Sequence, residues 1–183
     1  MTRAWLLAAL VAGGCGSPEL TYTDPEGGAL RLVRNPASDA RTAVLDFVVG
    51  DRALTGYAAG FDLALEPRAV RLDGFTPGPG LPPGDAPIAA GAALPTEGPL
   101  AGMLVTAQSQ KAAGAGAVAQ DTELAPGTVL YSVRLALRDD GFKGVVFDGS
   151  TPGFVLTSGG LRTRAGVTVV ESRDVAVGTL EVR

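Results

Sequence analysis

Histidine is absent from all 183 residues, and cysteine and tryptophan occur once each. Each shortage closes off some chemistry. Without an imidazole, Ser-His-Asp and Cys-His catalysis lose their general base, and no Ser-x-x-Lys arrangement replaces it. Zinc loses its nitrogen ligands and all but one thiolate. A lone cysteine closes no internal disulfide, so stability must come from the hydrophobic core. Lysine is scarce, with Lys111 and Lys143 beside 13 arginines, and the net charge of −4 lacks the basic footprint of a nucleic-acid binder. Long apolar runs are missing after the first dozen residues, so no membrane-spanning helix of about 20 residues is expected.

The N-terminus is where apolar residues crowd. Arg3 supplies a positive charge, Ala4 to Ala12 is apolar, and small residues lead into the only cysteine as Val11-Ala12-Gly13-Gly14-Cys15. A basic start, a short apolar stretch and small residues at the cut describe a secretory signal. With the cysteine directly behind them, residues 1–15 resemble the lipobox signal of bacterial lipoproteins, with Ala12 where leucine is commonest in that motif. The resemblance implies cleavage between Gly14 and Cys15, a diacylglycerol on the Cys15 sulfur, and a fatty acid such as palmitate on the new amine. Two or more chains anchor a protein stably where one does not. Gly16 follows the cysteine, where an aspartate tends to retain Gram-negative lipoproteins at the inner membrane. An outer-membrane location in the cell envelope is therefore expected.

Residues 15–28 are polar and turn-rich (Ser17-Pro18, Asp24-Pro25, Gly27-Gly28) and read as a spacer. From residue 29 to 183 the period is two. Leu30 and Leu32 alternate with Arg31; Leu45, Phe47 and Val49 alternate with Asp46 and Val48. Tyr57, Ala59, Phe61, Leu63 and Leu65 form a longer series, followed by Val70 and Leu72. Further strands are expected over 100–109, 129–137, 144–147, 167–170 and 175–182. Alternation of this kind places one face in a core and the other toward solvent. Turn clusters such as Asn35-Pro36 and Asp148-Gly149 separate the segments. About eight or nine short strands with Gly/Pro punctuation predict a single all-β, antiparallel sandwich. Phe47, Phe61, Leu63, Val133 and Leu135 are its expected core, together with Tyr57 and Tyr131.

Two stretches break the rhythm. Thr76 to Pro99 holds seven of the 13 prolines and is expected to be mostly loop, with room for a short edge strand over Ile88 to Leu94. Loops this long are often functional, which makes it the expected recognition surface. Lys111 to Ala119 is rich in Ala and Gly and reads as a connection.

The order of features resembles cohesin domains and related carbohydrate-binding-module sandwiches. Thr42–Val49 and Thr55–Leu65 look like their early strands, Glu66-Pro67-Arg68 like the turn that follows, Pro126-Gly127 leading into Val133 like their long core strand, and Val177–Val182 like their closing strand. The resemblance spans roughly residues 29–182. It implies a nine-stranded jelly roll that binds a protein module or a polysaccharide.

Other candidate sites are few. Asp62 with Glu66, or Asp139 with Asp140, are the carboxylate pairs a glycosidase would need. Alternation places Asp62 on an outward face, and Asp139-Asp140-Gly141 is turn chemistry. Asp121, Glu123, Asp148 and Ser150 supply oxygen ligands suited to calcium, without the spaced acidic run of an EF-hand. Sugar binding relies on exposed aromatic platforms, and Tyr22, Phe142 and Phe154 are the candidates for exposed rings. The reading is a lipid-anchored, non-catalytic binding domain without cofactor or metal that docks a protein partner. The alternatives are a carbohydrate-binding or a structural envelope lipoprotein. An exposed row of aromatics would favour sugar, and an apolar, charge-poor patch would favour protein.

Overall fold

The computed structural model describes residues 17–81, 88–111, 120–138, 141–150 and 156–183. Gly14, Cys15 and the rest of the signal lie outside the described residues, as do Asp139, Asp140, Phe154 and residues 112–119. Among the described residues there are 15 strands, one 3₁₀ turn at Ser172–Asp174 and no α-helix. The chain is all-β, as the alternation requires. The count corrects the expected eight or nine, because several segments are split and several short strands escape the pattern.

Two five-stranded sheets carry the fold. The first runs β14 (Val175–Ala176), β2 (Leu30–Arg34), β3 (Thr42–Val49), β10 (Val129–Leu137), β6 (Val70–Pro77). The second runs β13 (Thr168–Val170), β12 (Leu156–Arg162), β5 (Ala58–Ala64), β8 (Met103–Gln110), β7 (Ile88–Ala93). A three-stranded sheet places β15 (Thr179–Val182) between β1 (Leu20–Thr23) and β11 (Gly144–Asp148), and β4 (Leu54–Gly56) pairs with β9 (Thr122–Leu124). The sheets are not wholly antiparallel, since β14 runs parallel to β2.

The alternating positions meet where the two large sheets face each other. Phe47 of β3, Phe61 of β5 and Tyr131 of β10 form one aromatic cluster, with Phe47 5.2 Å from Phe61 and 5.3 Å from Tyr131. Phe61 stacks on Tyr131 at 6.0 Å. Leu63, Val133, Leu135 and Tyr57 are buried as expected. Burying an aromatic ring in such a cluster contributes about 0.5–1.5 kcal/mol per ring pair beyond its area.

Three expectations need correction. The supposed spacer contains β1, which pairs residue for residue with β15 from Leu20↔Val182 to Thr23↔Thr179. Leu20 and Tyr22 are two apart, so one face of this short strand enters the core. Tyr22 is therefore not an exposed ring. Its ring lies 5.9 Å from Phe147. Its hydroxyl donates to the Leu32 carbonyl at 2.7 Å and accepts from the Gly178 amide at 2.8 Å. Burial pushes its phenol well above the ordinary range.

Second, residues 175–182 are two strands in two different sheets, because the Val177-Gly178 step turns the chain. A Cβ on Gly178 would stand 1.9 Å from the Thr23 carbonyl oxygen, so only glycine fits this crossing. Third, the loop expected from Thr76 begins only after Pro77, while the described residues from there to Pro99 are mostly loop around the short edge strand expected there. Thr76 and Pro77 close β6, and β7 adds six residues to the second sheet. Residues 82–87 lie outside the described residues.

Candidate functional site

Sequence alternation sorts the second sheet into two faces. Ala59, Phe61 and Leu63 of β5 point inward, so Ala58, Gly60, Asp62 and Ala64 point outward. Register carries the outward set across the neighbours. Gly60 stands opposite Ala107 of β8, which stands opposite Gly91 of β7, with Gly160 of β12 on the other side of Gly60. The flanking outward rows place Ala58 beside Ser109 and Ala89, and Asp62 beside Val105 and Ala93.

Apart from Asp62, these outward rows are built of alanine, glycine, valine and serine. A depression of about 310 Å³ runs over Gly60, Val105, Ala107 and Gly160, and Asp62 and Arg162 also line it. A second of about 510 Å³ continues it over Ala89, Gly91 and Ala93. The floor is smooth for a local reason at Gly60, where a Cβ would stand 2.6 Å from the Thr106 carbonyl oxygen. The open cleft of about 480 Å³ at the chain's other corner gathers Glu26, Asp51, Arg52, Arg173 and Asp174.

Beneath the smooth face lies a polar ladder that the sequence reading missed. Thr106 and Gln108 are buried on the inner side of β8, and Gln110 continues their row. Thr106 Oγ1 accepts from the Phe61 amide, donates to the Phe61 carbonyl at 2.9 Å, and lies 2.8 Å from the Tyr131 hydroxyl. With the Thr106 proton on that carbonyl, the Tyr131 hydroxyl is the donor of this third bond. Burial drives the Tyr131 phenol far above its ordinary value, against the opposing effect of the Thr106 bond. Gln108 Nε2 donates to the Gly78 carbonyl at 3.2 Å, and Gln110 Nε2 to Thr122 Oγ1 at 2.7 Å. The signal was present as Thr106-x-Gln108-x-Gln110 in phase with buried Leu104. A rule that sends polar residues outward assigns that strand the wrong way round.

The other candidates do not converge. Glu66 is bound by Arg68, Nε to Oε1 at 2.9 Å, and that hydrogen bond holds its carboxyl below the usual range. Asp62 sits on the outer sheet face among alanines and glycines, on β5, while Glu66 lies in the turn after that strand. Asp121 accepts from the Arg164 amide at 2.6 Å, and Glu123 lies in β9. Asp148 instead accepts from the Ser150 amide and hydroxyl, both at 2.8 Å, and from Thr179 at 3.2 Å. The four oxygen ligands proposed for calcium are thus divided between two elements. No group of three or more acidic, cysteine or histidine side chains suited to a metal occurs among the described residues. Phe142 is half-buried against the core, and no described aromatic ring is exposed.

Comparison with known proteins returns no matching family model, no matching curated protein and no matching solved structure.

Proposed function

We propose that this chain is a lipid-anchored, non-catalytic binding domain of the bacterial cell envelope that docks a protein partner on the outer face of the β13-β12-β5-β8-β7 sheet. One contrast carries the reading. The described aromatic rings are buried or packed against the core, while the outer face of the second sheet presents a flat field of alanine and glycine. A sugar ring would find no aromatic platform there. A protein surface finds a backbone-smooth, largely apolar floor in which Asp62 and Arg162 are the charged lining residues, a composition close to that of an interface centre. The anchor rests on the lipobox resemblance of residues 1–15, which places Cys15 at the membrane and, through Gly16, at the outer one.

The finer fold is proposed to be a cohesin-like jelly roll. In its support, the chain passes repeatedly between the two large sheets: β5 to β6, β6 to β7, β8 to β10, β10 to β12, and β13 to β14. A crossing pattern of this kind is what double-sheet jelly rolls use.

The test is capture from native envelope fractions by wild type and by Ala107→Arg. The alanine side chain is exposed, so the variant should keep the wild-type melting temperature and lose the captured protein. Retained capture by Ala107→Arg moves the site elsewhere. Binding of a polysaccharide with no captured protein replaces the protein reading with the sugar one. Turnover of any substrate by the purified domain ends the non-catalytic reading.

A further inference from the structure

The edge of the same sheet carries a separate feature. β7 is its last strand and, among the described residues, pairs with β8 alone. Edge strands invite pairing with other chains, and proteins usually blunt them with charge, proline or a bulge. β7 has none of these. Its six residues, Ile88-Ala89-Ala90-Gly91-Ala92-Ala93, are uncharged, and its register with β8 runs from Ile88↔Gln110 to Ala93↔Val105 without a shift. β8 behind it is uncharged as well.

The sequence of this edge is symmetric. Read outward from Gly91, both directions give alanine, alanine, a large aliphatic residue (Ile88 or Leu94) and proline (Pro87 or Pro95). Gly91 itself is unexplained by the fold. Its backbone is not in the left-handed region, and a Cβ built on it meets nothing within 4 Å. Glycine inside a strand weakens it and often marks the close approach of another backbone. Within 4 Å of that Cβ position no described atom is found, so no described contact within this chain accounts for the glycine.

We infer that β7 pairs antiparallel with β7 of a second copy of this chain, about a twofold axis through Gly91. In that register Ala89 faces the partner's Ala93, Ala90 faces the partner's Ala92, and Ile88 faces the partner's Leu94. Like meets like at every position, as an isologous interface requires. Ile88, Ala90 and Ala92 share the inner face with Gln110, Gln108 and Thr106. The Ile88–Leu94 contacts therefore extend the core beneath the seam at both ends, and such cross-strand aliphatic pairs are the unit of sheet stability. The two prolines lack an amide hydrogen and bound the pairing to this stretch. Two five-stranded sheets become one continuous sheet. The inference rests on the edge strand and does not depend on the docking face or its partner.

The experiment is register-specific cross-linking of the full-length chain, with sedimentation equilibrium in density-matched detergent to measure its mass. Across a twofold at Gly91, the two Cα atoms of that residue fall about 4.5–5.5 Å apart, within reach of a disulfide. Gly91→Cys should therefore oxidise to a covalent dimer linked through residue 91. Ala89→Cys places the two thiols four residues apart along the seam and should not cross-link, and peptide mapping separates either product from one through Cys15. Wild type should dimerise reversibly, and Gly91→Lys, whose side chain enters open space, should melt as wild type does and dimerise at least about tenfold more weakly. A monomer at all concentrations, or equal cross-linking at residues 89 and 91, overturns the inference. A monomer that takes up an added extended peptide on this edge also overturns it, and assigns the edge to a foreign strand. Loss of partner capture by Ala107→Arg with an intact dimer tells the two proposals apart.

Discussion

Cutting Phe61 back to alanine removes the ring that joins the two large sheets. Phe61 is 2% exposed, and its ring contacts Phe47 from the opposing sheet edge-on at 5.2 Å and Tyr131 in a stack at 6.0 Å. Both neighbours are fully buried, so neither has an alternative surface to collapse onto. The lost transfer energy and the residual cavity together cost about 3–5 kcal/mol for a phenylalanine in such a site. Two ring pairs at about 0.5–1.5 kcal/mol each fall within that total. Phe61→Leu keeps most of the volume and should lose only about 1–2 kcal/mol. Against a total stability of about 5–15 kcal/mol, that loss is a large fraction of what holds the domain folded. Urea titrations followed by far-ultraviolet circular dichroism give both differences from the shift in midpoint at constant slope. A loss below about 1 kcal/mol for Phe61→Ala would place the ring on a surface and refute the face-to-face packing of the sheets.

Tyr22→Phe strips the hydroxyl that bridges the Leu32 carbonyl and the Gly178 amide, leaving two buried groups unpaired at a cost of about 1–3 kcal/mol by the same titration. Tyr22 and Tyr131 both have phenols raised by burial, so the folded state holds their protons more tightly than the unfolded chain does. Their contribution is complete below the ordinary phenol value of about 10 and is lost as pH rises above it, so stability should be flat to about pH 9 and then fall. Phenolate signals from residues 22 and 131 in a still-folded protein near pH 10 would contradict this. Replacing residues 78–97 with a short Gly/Ser linker deletes β7 and exposes one edge of β8, so it should lower the melting temperature; an unchanged melt would show that the strand adds nothing. Cys15→Ser should abolish the lipid on the N-terminal peptide and leave the protein uncut or soluble, and mass spectrometry finding no lipid on wild type would remove the anchor.

Strands were legible wherever burial was one-sided and the segment long. Phe61 and Leu63 lie in the core because the alternation of β5 leaves one phase for its large apolar residues, and Phe47, Val133 and Leu135 are buried too, although β3 is buried in both phases at Val44, Asp46 and Val48. Short strands were legible only in part: β11 and β13 lie where strands are expected at 144–147 and 167–170, while β1 and β9 were missed. β1 offers only Leu20 and Tyr22 as a pattern, between Ser17-Pro18 and Asp24-Pro25, and its partner lies near the far end of the chain. β12 was hidden by the Gly159-Gly160 pair, which reads as a turn until the crowding around Gly160 shows why glycine is needed. The candidate site was less legible still. Its outward row of small residues comes from β5, β7, β8 and β12, and nothing local in any one strand shows that Gly60, Ala107 and Gly91 fall in line. The inverted polarity of β8 concealed it further, since Gln108 and Gln110 were free to be read as surface.

In-cell photo-cross-linking from position 107 tests the docking face most directly. A photoreactive side chain at Ala107 looks out from the middle of the smooth face, and one at Arg134 looks out from the other large sheet. The account predicts one discrete protein adduct from position 107 and none of matching mass from position 134. Adducts from position 134 alone, or none from position 107 while the protein is folded and in place, would contradict it.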